Sequence, residues 1–404
     1  MKKILVFIVF YLLVTVEAGA KSRFITAQGI NLIQPNGEKL FIKGTNLGNW
    51  LNPEGYMFGF SKTSSPHFID EMFKQMVGPT ATAKFWKAFL ANYITEDDIK
   101  YIKSQGANTI RLPFNYKLFS DEDYMGITAY QNGFMILDNV ISWCRKAGLY
   151  LILDMHDCPG GQTGDNIDDG YGYPWLFTDA NSQKQFCDIW KSIAKRYKDE
   201  PTVLGYEPMN EPIAPYFISD GLNDSLIVVY KKVIKAIREV DHNHLVLIGG
   251  AQWNGNFKPV TDLKFDDKLM LTCHRYGGAS DKSAIQQLLS FRDSVNLPMY
   301  MGETGHNDYQ WMTAFVSMMK ANNMGYTFWP YKKIGESSFV GIKKPAYWQK
   351  IIDFAEADRS SYTKIREARP NQDSARTALM EYVENSQLVN CIPENKYIKC
   401  LQMK

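Results

Sequence analysis

The sequence predicts an α/β fold: a (β/α)8 barrel in a single domain, with long βα loops and a C-terminal extension. Three observations carry this. Short apolar runs alternate with amphipathic helical stretches from residue 40 to residue 329. The runs number eight. The length of 404 residues suits one barrel of about 250 residues plus insertions.

The strands are expected at 40–45, 109–113, 150–154, 203–206, 245–248, 269–273, 299–302 and 326–329. Several are nearly continuous in apolar residues, as in parallel strands covered by helices on their outer face. Helices are expected at 95–105, 134–147, 183–197, 226–240, 284–293 and 311–322. The first opens on Thr95-Glu96-Asp97-Asp98, a capped start. An open doubly wound sheet is the competing architecture, but the Gly-rich phosphate loop expected after its first strand is missing. Residues 47–94, rich in Gly, Phe, Tyr and Trp, form a long connection after the first strand. Residues 157–181 form another long loop, dense in Gly and Asp, and 359–404 are a polar extension beyond a barrel domain at 21–358.

Residues 1–20 read as a signal peptide: Lys2 and Lys3, an apolar run from Ile4 to Val16, then Ala18-Gly19-Ala20 as a small-x-small cleavage site. The run is shorter than the roughly 20 residues a membrane span needs. The expected location is therefore secreted or periplasmic, without membrane insertion. Lys and Arg total 45 against 43 Asp and Glu, a net charge of +2 that gives no reason to expect nucleic acid as partner. The six cysteines match no zinc spacing. Cys391 and Cys400 could pair in an oxidising compartment or stay free; the other four read as small buried hydrophobes. No cofactor and no catalytic metal are expected, since no HxxxH or clustered Cys/His spacing occurs.

Position gives the functional clue. Polar residues fall in or just past the carboxyl ends of the predicted strands: Asn46, Arg111, His156, Asn210-Glu211, His274, Tyr276, Glu303 and Trp329. In barrel enzymes that end carries the active site. Glu211 and Glu303 belong to the fourth and seventh strands, which face each other across an eight-stranded mouth. Two carboxyl groups flanking one bond are what glycoside hydrolysis requires, one protonating the leaving oxygen and one attacking the anomeric carbon. Glu207 is a decoy four residues earlier, expected to partner a basic residue inside the barrel. Arg111, alone in an apolar strand, needs a carboxylate partner; it either holds a structural acid or orients Glu303. Tyr276 can donate a hydrogen bond to the same carboxylate. His156 and His274 are expected to bind sugar hydroxyls or tune the acid, Asn210 to bond a sugar 2-hydroxyl, and Trp329 to serve as sugar platform or barrel-end core.

Taken in order, Arg111, His156, Asn210-Glu211-Pro212, His274-Arg275-Tyr276, Gly302-Glu303 and Trp329 resemble glycoside hydrolase family 5, from about residue 30 to 355. The resemblance implies a retaining β-glycosidase, with Glu211 as acid/base, Glu303 as nucleophile and the others at active-site positions. Within the family, Gly44-Thr45-Asn46-Leu47-Gly48-Asn49-Trp50-Leu51 and Pro159-Gly160-Gly161-Gln162-Thr163-Gly164 are similar to the exo-β-1,3-glucanase group. Gly302-Glu303-Thr304-Gly305 departs from it, lacking the aromatic residue that usually follows the nucleophile. The implied partner is a β-linked glucan or oligosaccharide, taken by a monomer. An endo-β-1,4-glucanase or β-mannanase would use the same two glutamates; a non-catalytic carbohydrate-binding barrel would not need both.

Overall fold

The computed structural model describes residues 22–127 and 131–404, so the leader expected at 1–20 lies outside the described residues. Eight parallel strands close into a barrel: β1 (Lys43–Asn46), β2 (Thr109–Asn115), β3 (Tyr150–Asp157), β4 (Val203–Glu207), β5 (Leu245–Gly249), β6 (Leu269–His274), β7 (Met299–Glu303) and β8 (Gly325–Phe328). Each pairs with the next in sequence and β8 closes on β1, which rules out the open sheet. The strands fall where the apolar runs predict them, except that β1 starts at Lys43. Residues 39–40 belong instead to a small antiparallel sheet with Thr26–Gln28 and Asn31–Ile33.

That sheet stoppers the amino-terminal end of the barrel. Ile25, Leu32 and Leu40 pack with Ile152, Leu204, Leu247, Met270 and Tyr300 in one cluster separate from the outer core. Side chains alternate along a strand, and β3 shows the result: Leu151, Leu153 and Met155 join the outer core, while Ile152 joins the inner cluster. Asp154 and His156 continue that inner face toward the mouth.

Helices α1 (Pro66–Val77), α2 (Pro79–Asn92) and α3 (Glu96–Ser104) connect β1 to β2. The predicted cap on α3 is present, with Asp98 Oδ2 accepting from the Thr95 backbone N–H at 2.8 Å. Helices α4 (Gln131–Ala147), α5 (Ala180–Tyr197) and α6 (Asn223–Arg238) follow β2, β3 and β4. Helices α7 (Gln286–Val295) and α8 (Tyr309–Ala321) follow β6 and β7. The β5–β6 connection has only a single turn, Ala251–Asn254.

The aromatic wealth of 47–94 is mostly packing: Phe58, Phe60, Phe73, Phe85, Trp86 and Phe89 are buried in one cluster. Of the helices following β8, α9 (Trp348–Glu356) and α11 (Gln372–Ser386) complete that cluster with Trp348 and Tyr382, and α10 (Tyr362–Ala368) adds Ile365 to the same core. The C-terminal segment therefore lies against the barrel. Its last residues reach the barrel's own strands, with Tyr326 Oη donating to Leu401 O and Lys43 Nζ to Met403 O. The cysteines are all free. Cys391 Sγ faces the carbonyls of Asn385 and Ser386, and Cys400 Sγ those of Tyr309 and Lys396, so their local packing points the two thiols at different partners. Among the described residues, no helix is long and apolar enough to cross a membrane.

Candidate active site

At the carboxyl end of the barrel opens a cavity of about 380 Å³. Glu211 and Glu303 reach it from opposite walls, and Tyr276, His156 and Trp329 share its lining.

Arg111 is the organising charge. It is fully buried and touches three carboxylates. Its Nε and Nη2 donate to Glu207 at 3.0 and 2.8 Å, a bidentate grip that assigns the decoy glutamate a partner inside the barrel. Its Nη1 donates to Glu303 Oε1 at 2.6 Å and to Asn46 Oδ1 at 3.1 Å. Asn46 lies behind the cavity, bonding the carbonyls of Gly302 and Thr327 through Nδ2. It braces the arginine and is absent from the cavity lining. Arg111 thus grips Glu207 and also hydrogen-bonds Glu303. Such a buried charge network stands only because each member has a partner.

Glu303 enters the cavity through a bulge. Along β7, Tyr300 faces in and Met301 out, so Glu303 would by strict alternation face out. The register against β6 shifts between Met301 and Glu303, and Glu303 pairs with inward-facing His274. Gly302 is the extra residue. A Cβ there would sit 2.4 Å from Thr272 Oγ1 and 3.0 Å from His274 Nε2, so no larger residue fits. Tyr276 Oη then donates to Glu303 Oε2 at 2.8 Å.

Glu211 takes a different route. Its own φ is 42° and that of Ile213 is 56°. A β-branched residue in the left-handed region is strained, by about 1–3 kcal/mol, and such strain persists only when the surroundings impose it. The 157–181 loop does so: Gln162 Nε2 donates to the Asn210 carbonyl at 2.8 Å, Thr163 Oγ1 to that of Glu211 at 2.8 Å, and the Ile213 N–H donates to Gln162 O. Burial first, then the neighbouring Glu303 charge, raises the Glu211 carboxyl well above the ordinary range.

Two histidines are fixed as neutral hydrogen-bond relays. His156 Nδ1 bonds Asp154 Oδ2 at 2.7 Å, which leaves Nε2 to accept from Asn210 Nδ2 at 3.2 Å. Burial pushes His156 down to about 3 and Asp154 up to about 7, the latter against the opposing pull of Arg111. Asn210 Oδ1 is held by Arg111 at 2.8 Å. His274 Nδ1 faces Glu211 Oε1 at 2.7 Å, and its Nε2 accepts from Asn254 Nδ2 at 3.2 Å. Trp329 stacks flat on His156, centroids 5.3 Å apart at 7°, and its Nε1 donates to Tyr56 Oη.

Of the residues singled out from the sequence, His156, Glu211, Tyr276, Glu303 and Trp329 line the cavity, while Asn46, Arg111, Asn210 and His274 stand behind it, hydrogen-bonded to one another or to the lining groups. Four were missed. Glu54 and Tyr56 come from the β1 loop, and His306 lines the same cavity. Burial, then Glu303, raises the Glu54 carboxyl well above its usual range. Asn254 lies under His274. The sequence signal for Glu54 is slight, an acid inside an aromatic loop; Asn254 carries none, since its connection is purely spatial.

One ligand atom from each of Glu211, His274 and Glu303 lies within 4.8 Å of the others, a spacing a divalent cation could span. His274 Nδ1 is engaged as hydrogen-bond donor to Glu211, however, and would have to surrender that proton to become a ligand. The trio fits proton chemistry better.

Two buried carboxyl groups this close, one gripped by a guanidinium and the other with its pKa raised by burial, are equipped for cleaving a glycosidic bond, and a barrel presenting them at its mouth is of the barrel-glycosidase class. The profile described as Cellulase (glycosyl hydrolase family 5) matches residues 70–334. The chain belongs to that family. It is 32% identical to a β-xylosidase of Phanerodontia chrysosporium over 59% of this chain and 48% of that one, so it spans about half that relative's length. It is 25% identical to a glucan 1,3-β-glucosidase of Candida oleophila over 76% and 73% of the two chains. The fold is shared with the β-glucanase SdGluc5_26A of Saccharophagus degradans, solved with cellotetraose. That match has a TM-score of 0.55 at 16% identity and covers 90% of this chain and 94% of that one.

Proposed function

We propose that the protein hydrolyses β-glucosidic bonds in β-glucans or their oligosaccharides with retention of configuration, Glu303 acting as nucleophile and Glu211 as acid/base. The carrying observation is the gap between the two carboxyl groups. Their nearest oxygens fall within 4.8 Å. Retaining enzymes hold the two groups about 5–5.5 Å apart, whereas inverting ones need about 6.5–9.5 Å to seat a water.

In this reading Glu303 attacks the anomeric carbon while the Glu211 proton passes to the departing glycosidic oxygen. The glycosyl ester on Glu303 is then released as Glu211, now a carboxylate, takes a proton from water and that water attacks the same carbon. Arg111 and Tyr276 align the Glu303 oxygens before attack. The His274 bond occupies Glu211 Oε1, which leaves Oε2 to carry the acid proton.

The 1,3-linkage is favoured by the Gly44–Leu51 and Pro159–Gly164 segments and by the similarity to a glucan 1,3-β-glucosidase. Cleavage of β-1,4-glucan is the second reading, favoured by the profile match to the cellulase family. The leader expected at 1–20 supports export.

Glu303→Ala should abolish hydrolysis with the fold intact by circular dichroism. Near wild-type turnover in that variant would sink the nucleophile assignment. A panel of β-1,3-, β-1,4- and mixed-linkage glucans and mannan, with product sizes and anomeric configuration followed by NMR, tests linkage and retention together.

A further inference from the structure

Three consecutive residues of the 157–181 loop make three different kinds of contact. Ile167 lines the cavity that holds the two carboxyl groups. Asp169 ties the loop to its neighbours, its Oδ1 accepting from the His67 backbone N–H at 2.8 Å and its Oδ2 from Lys117 Nζ at 2.6 Å. Asp168, between them, is 2% exposed and turns back into its own loop. Its Oδ2 accepts from the backbone N–H groups of Thr163 and Gly164 at 2.7 and 2.8 Å, and its Oδ1 from that of Gly170 at 2.9 Å. Gly161 packs on the same carboxylate, and a Cβ there would lie 2.9 Å from Oδ2. Among the described residues no cationic side chain pairs with Asp168, so these N–H groups take the place of solvent around a buried carboxylate.

The first of these donors belongs to the stretch that carries the acid. Thr163 commits every polar group it has. Its N–H goes to Asp168, its hydroxyl to the Glu211 carbonyl at 2.8 Å, and its own carbonyl accepts from the Ala214 N–H at 3.0 Å. Gln162 beside it accepts from the Ile213 N–H at 2.8 Å and donates to the Asn210 carbonyl at 2.8 Å. Residues 162–163 and 210–214 are thus zipped together along the segment in which Glu211 has φ of 42° and Ile213 of 56°. A strained path holds only while its restraints do. Asp168 grips the zip through Thr163, and a carboxylate grips an N–H harder than a neutral acceptor does.

We propose that Asp168 is a positioning residue for the acid: its carboxylate fixes Thr163, and through Thr163 it fixes the Glu211 carboxyl where the leaving oxygen is protonated. This rests on the glycosidase reading above. Glu303 is held from other elements, by Arg111 and Tyr276. The defect from losing Asp168 therefore falls on proton donation and spares nucleophilic attack. It is selective for leaving groups that need the proton, which a general loss of folded enzyme is not.

The test uses the full chain as wild type, Asp168→Asn and Thr163→Val. Both Asp168 oxygens are in use, so the Asn amide must set its NH2 against an N–H donor whichever way it turns. Thr163→Val keeps the shape and deletes the hydroxyl bond to the Glu211 carbonyl. The kcat/KM is measured on aryl β-glucosides whose phenols span a wide range of acidity, and on a β-gluco-oligosaccharide. A misplaced acid steepens the dependence on leaving-group pKa, whereas fewer folded molecules lower every value equally. Asp168→Asn should lose about 10–100-fold more on the oligosaccharide than on the most activated aryl glucoside. Thr163→Val should show a smaller excess of the same kind. The double variant should lose no more than Asp168→Asn alone, since both act along one line of contacts. A plot parallel to wild type in either single variant, or additive losses in the double, would overturn the proposal. Where Asp168→Asn does not accumulate, Thr163→Val decides by itself. Glu211→Gln and Glu303→Ala measured alongside separate the levels. Hydrolysis persisting in Glu303→Ala defeats the glycosidase reading, and an unsteepened plot for Glu211→Gln defeats the acid assignment. A steep plot for Glu211→Gln beside a parallel one for Asp168→Asn defeats the positioning role alone.

Discussion

Glu211 stands between opposing influences, and its behaviour with pH follows from them. Burial and the Glu303 charge favour its neutral form; the His274 N–H and the Arg111 charge favour the carboxylate. The first pair prevails. An acid must hold its proton to act, so activity should persist above the ordinary carboxyl range and fall as pH rises through the raised value. Because the folded form binds this proton more tightly than the unfolded chain, the associated stability is present below the unfolded carboxyl pKa and is lost as pH rises through the folded one. Glu211→Gln removes the titration while keeping the shape. It should lose about 10²–10⁴-fold on poor leaving groups and much less on activated aryl glycosides. Its melting temperature should also decline less than wild type's toward alkaline pH. An equal activity loss on both substrate types, or parallel melting profiles against pH, would refute the acid role.

At the scale of elements, the bulge in β7 is what turns Glu303, the proposed nucleophile, into the cavity. Without Gly302 as the extra residue, Glu303 would point into the helical layer. Gly302→Ala places a Cβ 2.4 Å from Thr272 Oγ1 and 3.0 Å from His274 Nε2, so the side chains beside the two carboxyl groups must shift. Activity should drop by at least about 10²-fold, in line with the sensitivity of catalysis to small displacements, while the barrel still forms. Retention of wild-type kcat in Gly302→Ala would show that the bulge does not set the geometry. The loop after β3 plays the matching part for the acid, since Gln162 and Thr163 hold the Glu211 segment in its strained path.

For the whole molecule, the C-terminal segment and the β1 loop fold as partners. Tyr382 of α11 packs on Trp348 at 4.7 Å and on Phe58 at 5.2 Å. Buried Lys332 ties Asp98 to the carbonyl of Ser386. Ending the chain at residue 358 would strip this cluster of one wall and leave Lys332 without one of its acceptors. The truncated protein should melt well below the full chain or fail to accumulate as soluble protein. The full chain should unfold in one calorimetric transition. Two separate transitions, or a truncated barrel of unchanged stability, would make 359–404 an independent appendage.

How much of this was legible beforehand follows from the reach of each interaction. The eight strands, the helices between them and the row of strand-end residues could be read because parallel strands buried on both faces demand apolar runs, and because a barrel puts its chemistry at the ends of those runs. The proposal of Glu211 and Glu303 as the reacting pair came with them. Only the folded chain decided that the two carboxyl groups stand close enough for retention, that Glu207 belongs to Arg111, that most aromatics of 47–94 are core, and that Asn254, Glu54 and Tyr56 attend the site. A local pattern reports which face of one element is apolar. It does not report which residues of distant elements are brought within a few ångströms by closing the barrel, and that proximity is what sets charge states and roles.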